Sequence, residues 1–129
     1  MSDKKIFNKL LNYISNLDLK NFEIEINQLF QFKENRSNPS LLNLYGLFFE
    51  AKKDLSKAVN IFLKCIQINP DYAPPYFNLG RIYYFNGMFE NSINFLDKHI
   101  TKDQSIFESY DFLAKSHYQR HEYLSLIHI

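Results

Sequence analysis

The sequence predicts an all-α chain, an α-solenoid of stacked antiparallel helix pairs, and three observations carry that prediction. Gly46 and Gly80 stand 34 residues apart, and the next step of that length reaches Ala114, another residue small enough for two helices to approach closely. A fixed period of this size marks arrays of helix-turn-helix units. Apolar classes recur at the same interval: Leu42 with Tyr76 and Tyr110, Tyr45 with Leu79 and Leu113, Phe49 with Tyr83 and His117, Leu55 with Phe89 and Tyr123, Ala58 with Ser92, Val59 with Ile93, and Phe62 with Leu96. Within a unit the spacing is helical. Leu42, Tyr45, Gly46 and Phe49 fall at i, i+3, i+4 and i+7, and Leu55, Ala58, Val59 and Phe62 repeat that spacing after a short turn, so each set lies on one helix face.

The elements follow in order along the chain. Phe7, Leu10, Leu11 and Ile14 form one amphipathic face, Asp18 to Asn21 form a turn, and Phe22, Ile26, Leu29 and Phe30 form a second face. Residues 1–38 therefore read as a degenerate helical hairpin that covers the apolar flank of the stack. The stretch KENRSNP, residues 33–39, is a linker; its Asn35-Arg36-Ser37 matches a glycosylation triplet, but no secretory signal accompanies it. Residues 39–72 form the first full unit, with Lys53-Asp54 at its interhelical junction and Asn69-Pro70 ending its second helix, because proline cannot continue one. Residues 73–106 form the next. Pro74-Pro75 suit a first helical turn, where a missing N–H has no intrahelical partner to lose, and Gly87 suits the junction.

Residues 107–123 start a third unit whose second helix is expected to be truncated. The stretch LSLIHI, residues 124–129, resembles the translation of a transposon end ligated to DNA fragments in a common sequencing-library chemistry. It is expected to be non-native, which leaves His128 without meaning and explains Leu126 at a repeat position that normally takes Ala; the rival reading is a genuine short C-terminal helix. On the non-native reading the chain is a fragment.

Composition narrows the function classes. Fifteen basic residues against fourteen acidic ones leave a formal charge of +1, without the electrostatic footprint of nucleic-acid or anionic-membrane binding. No window has the length and hydropathy of a signal peptide or a membrane span. Cys65 is the only cysteine, so no internal disulfide forms and a reducing, cytoplasmic setting is expected. His117 and His121 have the i, i+4 spacing of paired metal ligands, yet no third ligand accompanies them, and no metal is expected. Cys65 sits where a small buried residue belongs, with no histidine placed to activate it, and reads as a packed thiol. There is no glycine-rich phosphate loop and no nucleophile elbow. Neither catalysis nor a cofactor is expected.

At the repeat positions the chain resembles the tetratricopeptide repeat family. Tyr76, Leu79, Gly80, Tyr83, Gly87, Phe89, Ser92 and Leu96 match that family's pattern in one unit, and Leu42, Gly46, Phe49, Leu55, Ala58, Phe62 and Pro70 match it in the preceding one. Leu113 and Ala114 continue it. Tyr45 replaces the usual Leu, Gln104 the closing Pro, and His99 a small buried residue. The resemblance implies a right-handed superhelix with first helices along a concave groove, and a protein or peptide partner. It implies groove-facing side chains at Ser40, Asn43, Leu47 and Glu50, at Pro74, Phe77, Arg81 and Tyr84, and at Glu108, Asp111, Lys115 and Tyr118. Some members clamp a peptide's terminal carboxylate with basic residues. Asn78 fits one place in that clamp, but Glu108 and Phe112 stand where basic residues are needed, so the clamp is not expected. The alternative implied by the resemblance is the N-terminal recognition arm of a larger enzyme, such as a sulfotransferase or glycosyltransferase.

Overall fold

In a computed structural model, which describes residues 3–127, the described chain is all-helical: seven α-helices and one 3-10 helix, with no strand. It forms two compact units, one up to Pro70 and one from Asp71. In the first unit α1 spans Asp3–Ser15, α2 Leu19–Leu29, the 3-10 helix Lys33–Ser37, α3 Pro39–Ala51 and α4 Leu55–Ile68. In the second, α5 spans Pro74–Phe85, α6 Phe89–Lys102 and α7 Phe107–Ile127. Within each unit, helices that follow one another pack together, α3 on α4 and α5 on α6 most extensively. This is the neighbour packing of an α-solenoid.

Three hairpin turns share one geometry. Leu17, Lys53 and Gly87 have φ of 56°, 66° and 75°, the left-handed region that reverses a chain at a helix end. The next residue then bonds back five positions: Asp18 N–H to the Tyr13 carbonyl at 2.7 Å, Asp54 to Phe49 at 2.9 Å and Met88 to Tyr83 at 2.9 Å. Asp18 and Asp54 go on to cap the following helix, accepting from the backbone N–H groups of Asn21 and Lys57. The turn between the first two helices thus lies at residues 16–18 and not at 18–21, because Asp18 is the cap of α2 and not the middle of the turn.

The expected linker is also ordered. Residues 33–37 wind into a 3-10 helix whose side chains close the C-terminal end of α2: Asn35 Nδ2 donates to the Leu29 carbonyl at 2.8 Å and Arg36 Nε to the Phe30 carbonyl at 2.7 Å. The last carbonyls of a helix have no intrahelical donor, and these two side chains supply it. Asn38 then caps α3 ahead of Pro39, accepting from Ser40 and Leu41.

The core of the first unit joins Leu10, Phe22, Ile26, Leu41, Leu44 and Phe48, with the Phe22 and Phe48 rings stacked at 5.0 Å. Phe7 and Ile14 pack against it, whereas Leu11 is 38% exposed and off that face. The small-residue anchors work by contact. A Cβ added at Gly46 would lie 2.5 Å from the Phe62 ring, and one at Gly80 would lie 2.6 Å from Leu96. Phe62 and Leu96 are fully buried, as are Ala58 and Leu79. Leu42 and Tyr76 are also buried; Phe49, Tyr83 and Phe89 are half-buried, and Pro70 is exposed.

In the second unit the interface of α6 with α7 is a polar seam. Ser92 occupies the repeat position of Ala58, and its hydroxyl donates to the Gly80 carbonyl at 2.8 Å and lies 2.9 Å from that of Ser116. Ser109 lies 2.5 Å from Nδ1 of His99. All four side chains are buried. The third unit departs from expectation: α7 runs unbroken from Phe107 to Ile127, through the place at His121 where the period put a turn. His121 and Glu122 both accept helical backbone, and no described second helix packs over Ala114, which is exposed, while Leu113 is half-buried. The suspected tail is helical as far as Ile127; residues 128 and 129, with the reading of His128, lie outside the described residues.

Candidate functional site

The second unit carries a connected aromatic face. Positions 77, 81, 84 and 85 recur at helical spacing along α5, and α7 packs beside it, which brings Phe112 among them. The Phe112 ring lies 6.0 Å from Phe77, 5.4 Å from Tyr84 and 5.6 Å from Phe85, and Tyr84 also meets Phe89 at 5.9 Å. Edge-to-face pairs at these separations hold rings in place beyond their burial. Phe85 is nevertheless 70% exposed.

Two cations lie on this surface. The Arg81 guanidinium stands 6.0 Å above Phe77 and donates to the Asn78 side-chain oxygen at 3.3 Å. Lys115 Nζ stands 5.7 Å above Phe112 and 2.8 Å from Asp111 Oδ2. The hydrogen bond from Lys115 to Asp111, with the charge of that carboxylate, raises the Lys115 pKa and keeps the ammonium charged. Cations over ring faces are a recognised attraction.

Of the positions implied by the resemblance, Phe77, Arg81 and Tyr84 are thus gathered with Lys115 and Asp111. Tyr118 is 63% exposed on α7 and makes no ring contact among the described residues. In the first unit Asn43 is buried, Leu47 is packed against the core and Glu50 is half-buried. Helices α1, α2 and α4 all pack on α3, which leaves less of its surface to a ligand. Phe85 and Phe112 are not among the expected groove residues. Their signal is spacing alone: Phe85 lies one turn after Arg81, and Phe112 one turn before Lys115.

Beneath the face, His99 is 2% exposed, with its ring 5.6 Å from Phe77. Burial lowers its pKa below 6.5, and nearby Asp103 opposes that shift without reversing it. The folded protein therefore disfavours the imidazolium. Its stabilising contribution is complete above about pH 6.5 and is lost as pH falls from there through the folded value. Thermal unfolding followed by circular dichroism is expected to show a midpoint that drops between pH 7 and pH 5, and a smaller drop in His99→Gln.

Other candidate chemistry is accounted for. Cys65 is fully buried with Sγ 3.3 Å from the Pro39 carbonyl, and burial pushes the thiol up to about 11, far from a reactive thiolate. His117 and His121 are exposed, and no group of three metal-ligating side chains occurs among the described residues. No helix among them is long and apolar enough to cross a membrane.

Residues 39–72, which are α3 and α4 with their flanking turns, match one model of the tetratricopeptide repeat, and residues 61–94 match a second. Residues 39–94 carry tetratricopeptide repeats. The second match is offset, running from within α4 through α5 into α6, as a periodic array permits. No curated protein matches the chain. Tetratricopeptide repeats are typically non-catalytic modules of protein–protein interaction.

Proposed function

We propose that the chain holds a peptide or protein segment against the first-helix face of its repeats, with no catalysis of its own, and that Phe77, Arg81, Tyr84, Phe85 and Lys115 are anchors in the second unit. The single observation that carries this reading is the ring cluster around Phe112, open at Phe85 and topped by two cations. Aromatic residues and arginine dominate the energetics of protein interfaces because they offer large, rigid contact area. Arg81 and Lys115 add hydrogen-bond donors at the edge of the rings, Lys115 already sharing its charge with Asp111.

Peptides selected from a random display library on the full chain are the probe. The double variant Arg81→Ala, Tyr84→Ala is expected to bind the selected peptides at least tenfold more weakly, with helicity unchanged. Equal affinity in that variant would place the binding surface elsewhere.

A further inference from the structure

The first unit holds a small crevice of about 180 Å³ lined by Phe30, Arg36, Leu42, Tyr45, Ile61 and Lys64. Its construction follows from the 3-10 helix. By bonding Arg36 Nε to the Phe30 carbonyl, with Nη2 near the Gln31 carbonyl at 3.5 Å, that helix sets a guanidinium beside the end of α2. Lys64 comes from α4, three residues beyond Ile61, and is exposed. The aromatic walls are fixed against each other, Phe30 standing edge-on to Tyr45 at 5.2 Å.

Charge decides what suits such a crevice. Both charged residues in the lining are cationic and none is acidic; Glu23 bears on Tyr45 electrostatically but is not part of the lining. Lys64 makes no ion pair among the described residues. Arg36 spends its bonds on backbone carbonyls, which leaves its positive charge uncompensated by any carboxylate in the lining. The volume is below that of a drug-sized pocket and suits one side chain. We infer that this crevice is a second binding site, built from residues distinct from the ring cluster of α5 and α7, which takes an apolar side chain lying next to a carboxylate on a partner peptide. The apolar group enters between Phe30, Leu42, Tyr45 and Ile61, and the carboxylate meets Lys64 and Arg36 at the rim, where charge-assisted bonds are stronger than neutral ones.

The carboxylate has two sources, a chain terminus or an acidic side chain, and the probes separate them. Amide resonances of the full chain are followed by NMR during titration with N-acetyl-phenylalanine, with the amide-capped dipeptide N-acetyl-Phe-Glu, with N-acetyl-phenylalaninamide and with inorganic phosphate. At least one of the two acids is expected to move the amides of Tyr45, Ile61 and Lys64 saturably at about millimolar concentration, typical for a ligand of this size. The tighter acid identifies the source. The uncharged amide is expected to bind about tenfold more weakly, as is the better acid to Lys64→Gln, while Arg81→Gln leaves the titration unchanged. The inference fails if the uncharged amide binds as well as the acids, if phosphate alone gives the same shifts, if Lys64→Gln has no effect, or if neither acid gives a saturable shift at these residues. The proposed function is tested by other probes, the selected peptides, at residues outside this crevice, so failure here leaves it standing and the reverse also holds.

Discussion

Phe62→Ala is expected to cost about 3–5 kcal/mol, as truncation of a fully buried aromatic does, and to leave the first unit largely unfolded near body temperature. The residue has no exposed surface, and its ring fills the space left by the missing side chain of Gly46. Against a typical total of about 5–15 kcal/mol for a folded domain, the loss is a large fraction. Urea denaturation is the measurement, with the slope checked for two-state behaviour. A second substitution makes the mechanism specific. Gly46→Ala alone puts a methyl 2.5 Å from the ring and destabilises; in the Phe62→Ala background the same methyl enters the cavity and is expected to be neutral or stabilising. Additive costs would show that the two positions do not share one space.

Gly80→Val is the counterpart in the second unit, with an expected cost of about 1–3 kcal/mol from overpacking. Its Cβ would meet Cγ and Cδ2 of Leu96 at 2.6 Å, atoms of a fully buried side chain that cannot swing into solvent. The helices must move apart to admit it. That movement also stretches the hydrogen bond from Ser92 to the Gly80 carbonyl, now 2.8 Å, so the cost includes a buried polar group losing its partner. Gly80→Ala, with a single methyl, is expected to fall between the wild type and Val. A stability for Gly80→Val equal to wild type would remove close helix approach as the reason for glycine at this position.

These two glycines show why the repeats are legible in the sequence itself. A small residue on a first helix and a bulky one sixteen positions later form one contact, and both halves of that contact are written in the chain. Proline and glycine at the helix boundaries are equally readable, since each acts on its own backbone. The features that the sequence pattern does not display depend on groups distant in the chain. Leu17 has no turn chemistry of its own, yet it takes the left-handed conformation because packing of α1 on α2 requires a reversal there. The 3-10 helix has too few residues for a periodic signal. The continuation of α7 through His121 follows from local helix compatibility where no described partner helix packs over Ala114. At the candidate site, the positions on α5 follow from the repeat, but the part played by Phe112 depends on how α7 packs beside α5. Asn43 is buried, and α3 packs against three helices, a number that one repeat unit does not reveal.

The seam of Ser92, Ser109, Ser116 and His99 has a consequence for geometry as well as stability. Apolar attraction has no preferred direction, whereas a hydroxyl bonds only along its lone pairs and its O–H direction. Stepping α7 by a single residue along its path would turn it by about 100° and would break both buried bonds at once. The seam therefore works as an indexing notch. It sets the rotation of α7 about its own axis, and with it the one orientation in which Phe112 completes the ring cluster and Lys115 stands above it.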